Sequence, residues 1–434
     1  MTAPATWTAR ISTEWPRRWN TQVGRRAAAC VLLGLAVRLA YWILVTPRWT
    51  PDSDADQYLQ IARNLAAGDG YSLVFPQLEL HATAFRPPVY PVLLAVPNWI
   101  FGPDPLLPSR LFSVLLGLAV IWLTVVFVAR IATVRAALVA GLAVALYPPL
   151  IANDTVTLTE PLALALLLGL LIALDARRPL ACGLATGLLL LTRPNAYALV
   201  LIVGVVLWRS LGWRRVAAFV GVLALIVAPW MIRNQIQVGS FRLTTSEGFN
   251  LAAIYSPASQ ETGGFVDPVF SDAYADDRQL KLSQFDEAKW NDRLTELGIE
   301  SFGENPGYLL DVFQRNLLSY FELRPSYNDS PERLDGRNPD FRSATLPLFY
   351  VVTLLGLGGL VLNWRKTSLW PGALIVAQFA ILSMFLVAPP RLRAPFDLLM
   401  CIGLGLLFDW AATRRSARRQ GVQYGAGAAS GTAE

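Results

Sequence analysis

The run AAACVLLGLAVRLAYWILV at 27–45 is followed shortly by Pro51-Asp52-Ser53-Asp54-Ala55-Asp56-Gln57-Tyr58. A helix needs roughly 20 apolar residues to cross a bilayer, and the first stretch is of that length. The second puts Asp52, Asp54 and Asp56 at its mouth. Charge beside hydrocarbon is costly unless it is solvated, paired or used.

Hydrophobic residues make up 54% of the 434 residues and charged residues 16%, which is the composition of an integral membrane protein. The net charge of +6 comes from short basic runs between apolar segments, with no polybasic groove, so nucleic acid is excluded as a partner. Cys30, Cys182 and Cys401 lie in apolar stretches and offer neither a disulfide framework nor a CxxC metal site. The single histidine, His81, makes no zinc site by itself. No Walker loop, GxGxxG turn or GxSxG elbow is present, which excludes a nucleotide-driven engine.

Hydropathy and charge asymmetry predict an all-α polytopic protein with about ten transmembrane helices, at 27–45, 109–129, 136–151, 158–174, 180–191, 196–208, 216–232, 344–362, 369–387 and 395–411. Residues 89–101, broken by Pro91 and Pro97, read as a re-entrant or interfacial segment. This count puts Arg130/Arg135, Arg177/Arg178, Arg209/Arg214/Arg215 and Arg365/Lys366 on the cytoplasmic side with both termini. The chain then divides into a cytoplasmic N-terminal tail (1–26) and a transmembrane module (27–232) that includes the outer loop 47–108. A mostly helical extracytoplasmic segment (233–343), three closing helices (344–411) and a basic, disordered tail (412–434) follow. The first helix reads as an uncleaved anchor.

Arg86, Arg110, Arg193, Arg233, Arg391 and Arg393 are left on the outer face, several beside proline. Topology does not require positive charge there. Arginine's planar fork suits phosphate oxygens, so these residues are candidates for holding a phosphate. Tyr58, Ile61, Ala62 and Leu65 share one face of a short amphipathic helix after Asp54. Capping that helix needs only one acid, which leaves others for chemistry. Glu160 opens a helix on the same face, in Thr159-Glu160-Pro161. Trp290, Tyr308, Tyr320 and Phe321 in the outer segment read as packing residues before sugar-stacking ones.

At these residues the sequence resembles the GT-C glycosyltransferases, in particular the protein-mannosyltransferase-like branch that includes the lipid A aminoarabinose transferases. The resemblance runs from the first span to Pro395. It rests on Asp54-x3-Tyr58 with Ile61-Ala62, Arg86-Pro87-Pro88-x-Tyr90-Pro91, Thr159-Glu160-Pro161, Thr192-Arg193-Pro194, Pro229-Trp230-x2-Arg233-Asn234 and Arg391-x-Arg393-x-Pro395. It implies Asp54 as the catalytic base. The second acid that often follows it in the family is here Ala55, so Asp52 and Asp56 both stay open for an assisting role. That departure argues against a divalent metal, and no other cofactor is implied.

The resemblance implies transfer of a sugar from a polyprenyl-phosphate donor to the hydroxyl of a glycan, glycolipid or protein, with inversion, at the outer face of a bacterial plasma membrane. Asp54, Asp56 and Glu160 are the candidate catalytic residues. Arg86, Arg193, Arg233, Arg391 and Arg393 are candidates for the donor phosphate, and Tyr58, Tyr90 and Asn234 for substrate. Two other classes fit part of the pattern. A transporter or flippase for a lipid-linked sugar would carry ionisable residues within its spans, and Arg38 is the clear mid-span charge. A non-catalytic scaffold gives the acids and arginines no reason to share a face.

Overall fold

The computed structural model describes residues 21–429, except 76–78, 103–105, 270, 272–273, 275–285 and 368. The chain is almost entirely helical. Helix α1 (Thr21–Leu44) starts inside the expected tail, so Arg25 and Arg26 belong to its first turns. Helix α2 (Ser53–Ala67) is amphipathic, burying Tyr58, Leu59, Ile61 and Ala62. The Asp52 carboxylate accepts from Ser53 N–H at 2.7 Å as its cap, and Gly68 closes it in a left-handed conformation at φ +93°. A two-stranded antiparallel ribbon, β1 (Ser72–Leu73) with β2 (His81–Ala82), pairs Ser72 with Ala82. Helix α3 (Val89–Phe101) is 13 residues long, too short to cross a bilayer alone.

Helices α4 (Leu106–Ile131) and α5 (Val134–Leu146) follow, then α6 (Pro148–Asp154), which is bent 62° from α5. The third span expected at 136–151 is therefore broken. Pro148 and Pro149 supply no amide donors, and Tyr147 before them is barred from the helical region. Helices α7 (Glu160–Asp175), α8 (Pro179–Leu190), α9 (Ala198–Leu211) and α10 (Trp213–Val238) complete the first module.

The segment 233–343 holds α11 (Glu247–Tyr255), α12 (Pro257–Thr262), α13 (Glu287–Glu304), α14 (Tyr308–Tyr320) and α15 (Asp329–Leu334). Trp290 packs among Phe75, Phe85 and Phe249, and Tyr308 and Tyr320 are also buried, so these aromatics serve packing.

Helices α16 (Pro339–Thr367), α17 (Trp370–Phe385) and α18 (Ala394–Ala429) close the bundle. Backbone meets backbone between α16 and α18, because a Cβ on Gly403 would sit 2.2 Å from the Gly356 carbonyl. Helix α18 extends to Ala429, and the last residues of the chain, 430–434, lie outside the described residues.

The chain is a membrane protein, and each of the ten expected spans has its helix. Among the described residues, though, six helices are long and apolar enough to cross alone, and the α5–α6 pair makes a seventh. Helices α7, α8 and α17, at 16, 12 and 16 residues, fall short of the full spans the sequence suggested.

Arg38 is not left bare in the bilayer. Its Nε donates to Asp154 Oδ2 at 2.8 Å and its Nη1 to the Ala145 carbonyl at 3.2 Å. The neighbouring Asn153 Oδ1 accepts from Arg337 Nη1 at 2.9 Å. The short helix α6 is thereby gripped by Arg337 on one residue and by Arg38 of the first helix on the next.

Candidate active site

Asp54 sits in the first turn of α2, just after Ser53, whose φ of +49° is a strained left-handed value for a residue with a side chain. That turn aims the carboxylate at two arginines. Arg86 Nη2 donates to Oδ1, and Arg391 Nη2 donates to Oδ2 at 2.5 Å. Arg86 also donates through Nε to Gln57 Oε1 at 2.7 Å and lies over the Tyr58 ring at 5.4 Å.

Arg391 carries the other half of the cluster. Its Nη1 lies 3.6 Å from Glu160 Oε1, and its Nε lies 2.9 Å from Asp335 Oδ2. Arg193 Nη1 donates to the same Glu160 oxygen at 3.0 Å. Three guanidiniums and three carboxylates thus share one site: Arg86, Arg193, Arg391, Asp54, Glu160 and Asp335. Glu160 Oε2 is buried and has no hydrogen-bond partner. Glu160 is 1% exposed while Asp54 and Arg86 are 18% and 17% exposed, so the site is closed at its base and open above α2.

Several contacts draw these parts together. Val89 N–H donates to the Leu191 carbonyl at 3.0 Å, tying the Arg86 segment to the Arg193 turn. Arg233 donates to the Thr83 and Tyr71 carbonyls at 2.6 and 2.8 Å, and Tyr71 OH donates to the Arg86 carbonyl at 2.8 Å. Glu287 accepts from Thr83 Oγ1 and Ala84 N–H, each at 2.7 Å. Gly336 follows Asp335 at φ +74°, and a Cβ there would run into the Trp49 indole, so only glycine seats this turn.

Burial pushes the Asp54 carboxyl up, but Arg86 and Arg391 outweigh it and hold the group below the ordinary carboxylate range. Asp335 goes the other way. Burial raises it to about 7, with the negative charges of Asp54 and Glu160 adding to burial and Arg391 and Arg337 opposing it.

Of the residues singled out from sequence, Asp54, Glu160, Arg86, Arg193 and Arg391 meet, with Tyr58 beneath them. The others stand elsewhere. Asp52 caps α2, and Asp56 faces outward toward Arg63 at 3.6 Å. Tyr90 is buried against Ser113 at 3.1 Å, and Asn234 bonds the Arg242 carbonyl at 2.9 Å. Arg233 braces the loop that carries Arg86. Arg110 donates to the Thr155 and Thr46 carbonyls and stacks on Trp42.

Arg393 turns away from Arg391. It is 1% exposed, lies over Phe349 at 3.8 Å and pairs with Asp397 at 3.0 Å and Glu322 at 3.7 Å. Arg393→Met leaves two buried acids short of a partner and is expected to cost about 3–5 kcal/mol of stability. Arg391→Lys keeps a cation among its three acids and is expected to lower the melting temperature much less. Scanning fluorimetry of the two variants checks this contrast, and equal melting temperatures would contradict it.

Asp335 and Gln57 were not found from sequence. Asp335-Gly336 is visible as a turn signal, but nothing in the sequence ties that turn to the membrane edge. Among the described residues no group of three His, Cys, Asp or Glu is placed to hold a metal ion. The acids of the site face guanidiniums instead.

No family model and no curated protein matches the sequence. Solved structures do match. Among them is the oligosaccharyltransferase AglB from Archaeoglobus fulgidus, in complex with an inhibitory peptide and a dolichol-phosphate. It is 14% identical over 92% of this chain and 52% of that chain, with a TM-score of 0.53. The same organism's oligosaccharyltransferase tethered to an acceptor peptide containing the NVT sequon gives 13% identity, 93% and 51% coverage and a TM-score of 0.51. The fold is the GT-C fold. At such identities the likeness shows architecture alone, and the chain spans about half the length of the oligosaccharyltransferase. ArnT from Cupriavidus metallidurans, bound to undecaprenyl phosphate, is 19% identical over 87% of this chain and 76% of that chain, at a TM-score of 0.40. Within this GT-C fold the cluster lies where α2, α7 and the turns before α9 and α18 come together.

Proposed function

We propose that the protein is an inverting glycosyltransferase. It takes a sugar from a polyprenyl-phosphate donor and passes it to an acceptor hydroxyl at the outer face of a bacterial plasma membrane. Both termini are cytoplasmic in this reading. The observation that carries it is the convergence of Arg86, Arg193 and Arg391 on Asp54 and Glu160 at the ends of the apolar helices. A GT-C fold shared with an enzyme solved with dolichol-phosphate supports it.

In the resting protein the guanidiniums are occupied by carboxylates. A lipid phosphate competes for Arg391 and Arg193, and each fork can engage phosphate oxygens bidentately. Drawing Arg391 toward phosphate releases Asp54 Oδ2 and raises the basicity of that carboxylate. Asp54 then accepts the proton of the acceptor hydroxyl as its oxygen bonds to the anomeric carbon. The bond from that carbon to the phosphate oxygen breaks, and the electron pair stays on the lipid phosphate. The arginines stabilise the charge that develops there, an effect in place before the reaction begins. Glycan, glycolipid and protein acceptors all offer the required hydroxyl.

The test is transfer of radiolabelled sugar from synthetic polyprenyl-phosphate donors by the purified protein in proteoliposomes. Transfer supports the reading. Movement of an intact lipid-linked sugar across the bilayer, without transfer, would overturn it.

A further inference from the structure

Three guanidiniums and three carboxylates in one buried cluster balance when every acid is ionised. The donor assigned above adds a negative phosphodiester to that balance. An uncompensated charge in a water-poor site is costly, so an ion or a proton must accompany it. Asp54 is gripped by two arginines, and Glu160 lies beside Arg193 as well as Arg391. Asp335 faces Arg391 at the cluster, with Arg337 further along its own turn committed to Glu332 and Asn153. It is the acid with the least claim on a guanidinium, and it contacts the arginine that phosphate would draw away.

We propose that Asp335 is a positioning residue that takes up a proton from water when the lipid phosphate binds. This rests on the donor class assigned in the preceding subsection. In the free protein the carboxylate is paired with Arg391 by charge alone, its Oδ2 lying 2.9 Å from an Nε that makes no hydrogen bond. When phosphate takes Arg391, Asp335 loses that partner while Asp54, Glu160 and the new anion surround it. Protonation removes the repulsion and lets Arg391 stay with phosphate. The pull of burial and of the neighbouring acids on this carboxyl points the same way.

Binding coupled to proton uptake weakens as pH rises through the free group's titration range. The probe is a polyprenyl methyl phosphate, a diester whose single charge does not itself titrate there. Its affinity for the full-length protein in detergent is measured by calorimetry from about pH 6 to about pH 9. Wild type should lose affinity by up to about tenfold per pH unit above about pH 7. Asp335→Asn, a neutral mimic, should bind as tightly as wild type does at low pH and show no such slope. A second readout is the enthalpy in buffers of different ionisation heat, which reports the proton directly.

Binding by wild type that is flat with pH overturns the inference and leaves the donor assignment standing. An Asp335→Asn protein that melts normally and keeps the wild-type slope does the same. An Asp335→Asn protein that binds weakly at every pH assigns the residue to structure and also overturns it. No binding of the lipid diester by wild type at any pH overturns the donor assignment, and this inference with it.

Discussion

Asp54→Asn is expected to fold, to hold the lipid donor and to transfer almost no sugar. Asparagine keeps the shape of the side chain and its carbonyl can still accept from one arginine, so the local structure survives. A positioned base contributes about 10²–10⁴-fold, and kcat should fall by that factor. The direction of the change in KM is more telling. In the proposed mechanism a lipid phosphate competes with Asp54 for Arg391, so removing the Asp54 charge should free that fork. The donor KM should therefore stay level or drop while kcat collapses. Steady-state kinetics with donor varied at saturating acceptor resolves the two effects. A variant that turns over at the wild-type rate removes Asp54 from the chemistry, and a rise in KM alone would recast it as a binding residue.

Arg38→Met should be as destabilising as Arg393→Met, by the same physical argument. Asp154 accepts from Arg38 Nε and Nη2 at 2.8 and 2.6 Å, and both residues are buried. Removing one partner of a buried pair leaves an uncompensated charge and costs about 3–5 kcal/mol. Replacing both partners by apolar residues is far milder, because no bare charge remains. The double variant Arg38→Met with Asp154→Leu should therefore melt above Arg38→Met alone. Thermal unfolding in detergent, followed by size-exclusion, checks the order. If the two singles and the double behaved additively, the pair would not exist in the membrane.

The fold was legible because apolar run length reports directly on the bilayer. Break points were harder. Pro148-Pro149 is plain in the sequence, but it reads equally as the end of a span or as a bend within one. The structure chooses the bend because the short α6 carries Asn153 and Asp154, each claimed by an arginine distant in sequence. In the site, Asp54, Arg86, Glu160, Arg193 and Arg391 announced themselves by lying beside prolines or helix starts at one end of the spans. What sequence does not carry is side-chain direction in an irregular turn. Arg391 and Arg393 lie two residues apart on one 3₁₀ turn and enter separate charge networks. Asp335 was hidden for another reason. It comes from a polar segment without membrane periodicity, and only folding brings it onto Arg391.

The Arg38–Asp154 pair also constrains how the protein is made. The two residues are 116 positions apart. At synthesis rates of about 5–20 residues per second, Arg38 leaves the ribosome roughly ten seconds before its partner exists. During that interval a cation on the first helix has no counter-charge in the lipid. The insertion machinery must shelter that helix, or leave it near the headgroups, until the third apolar stretch arrives and folds over. Release of the amino-terminal helix into the bilayer is then timed by a residue encoded far downstream.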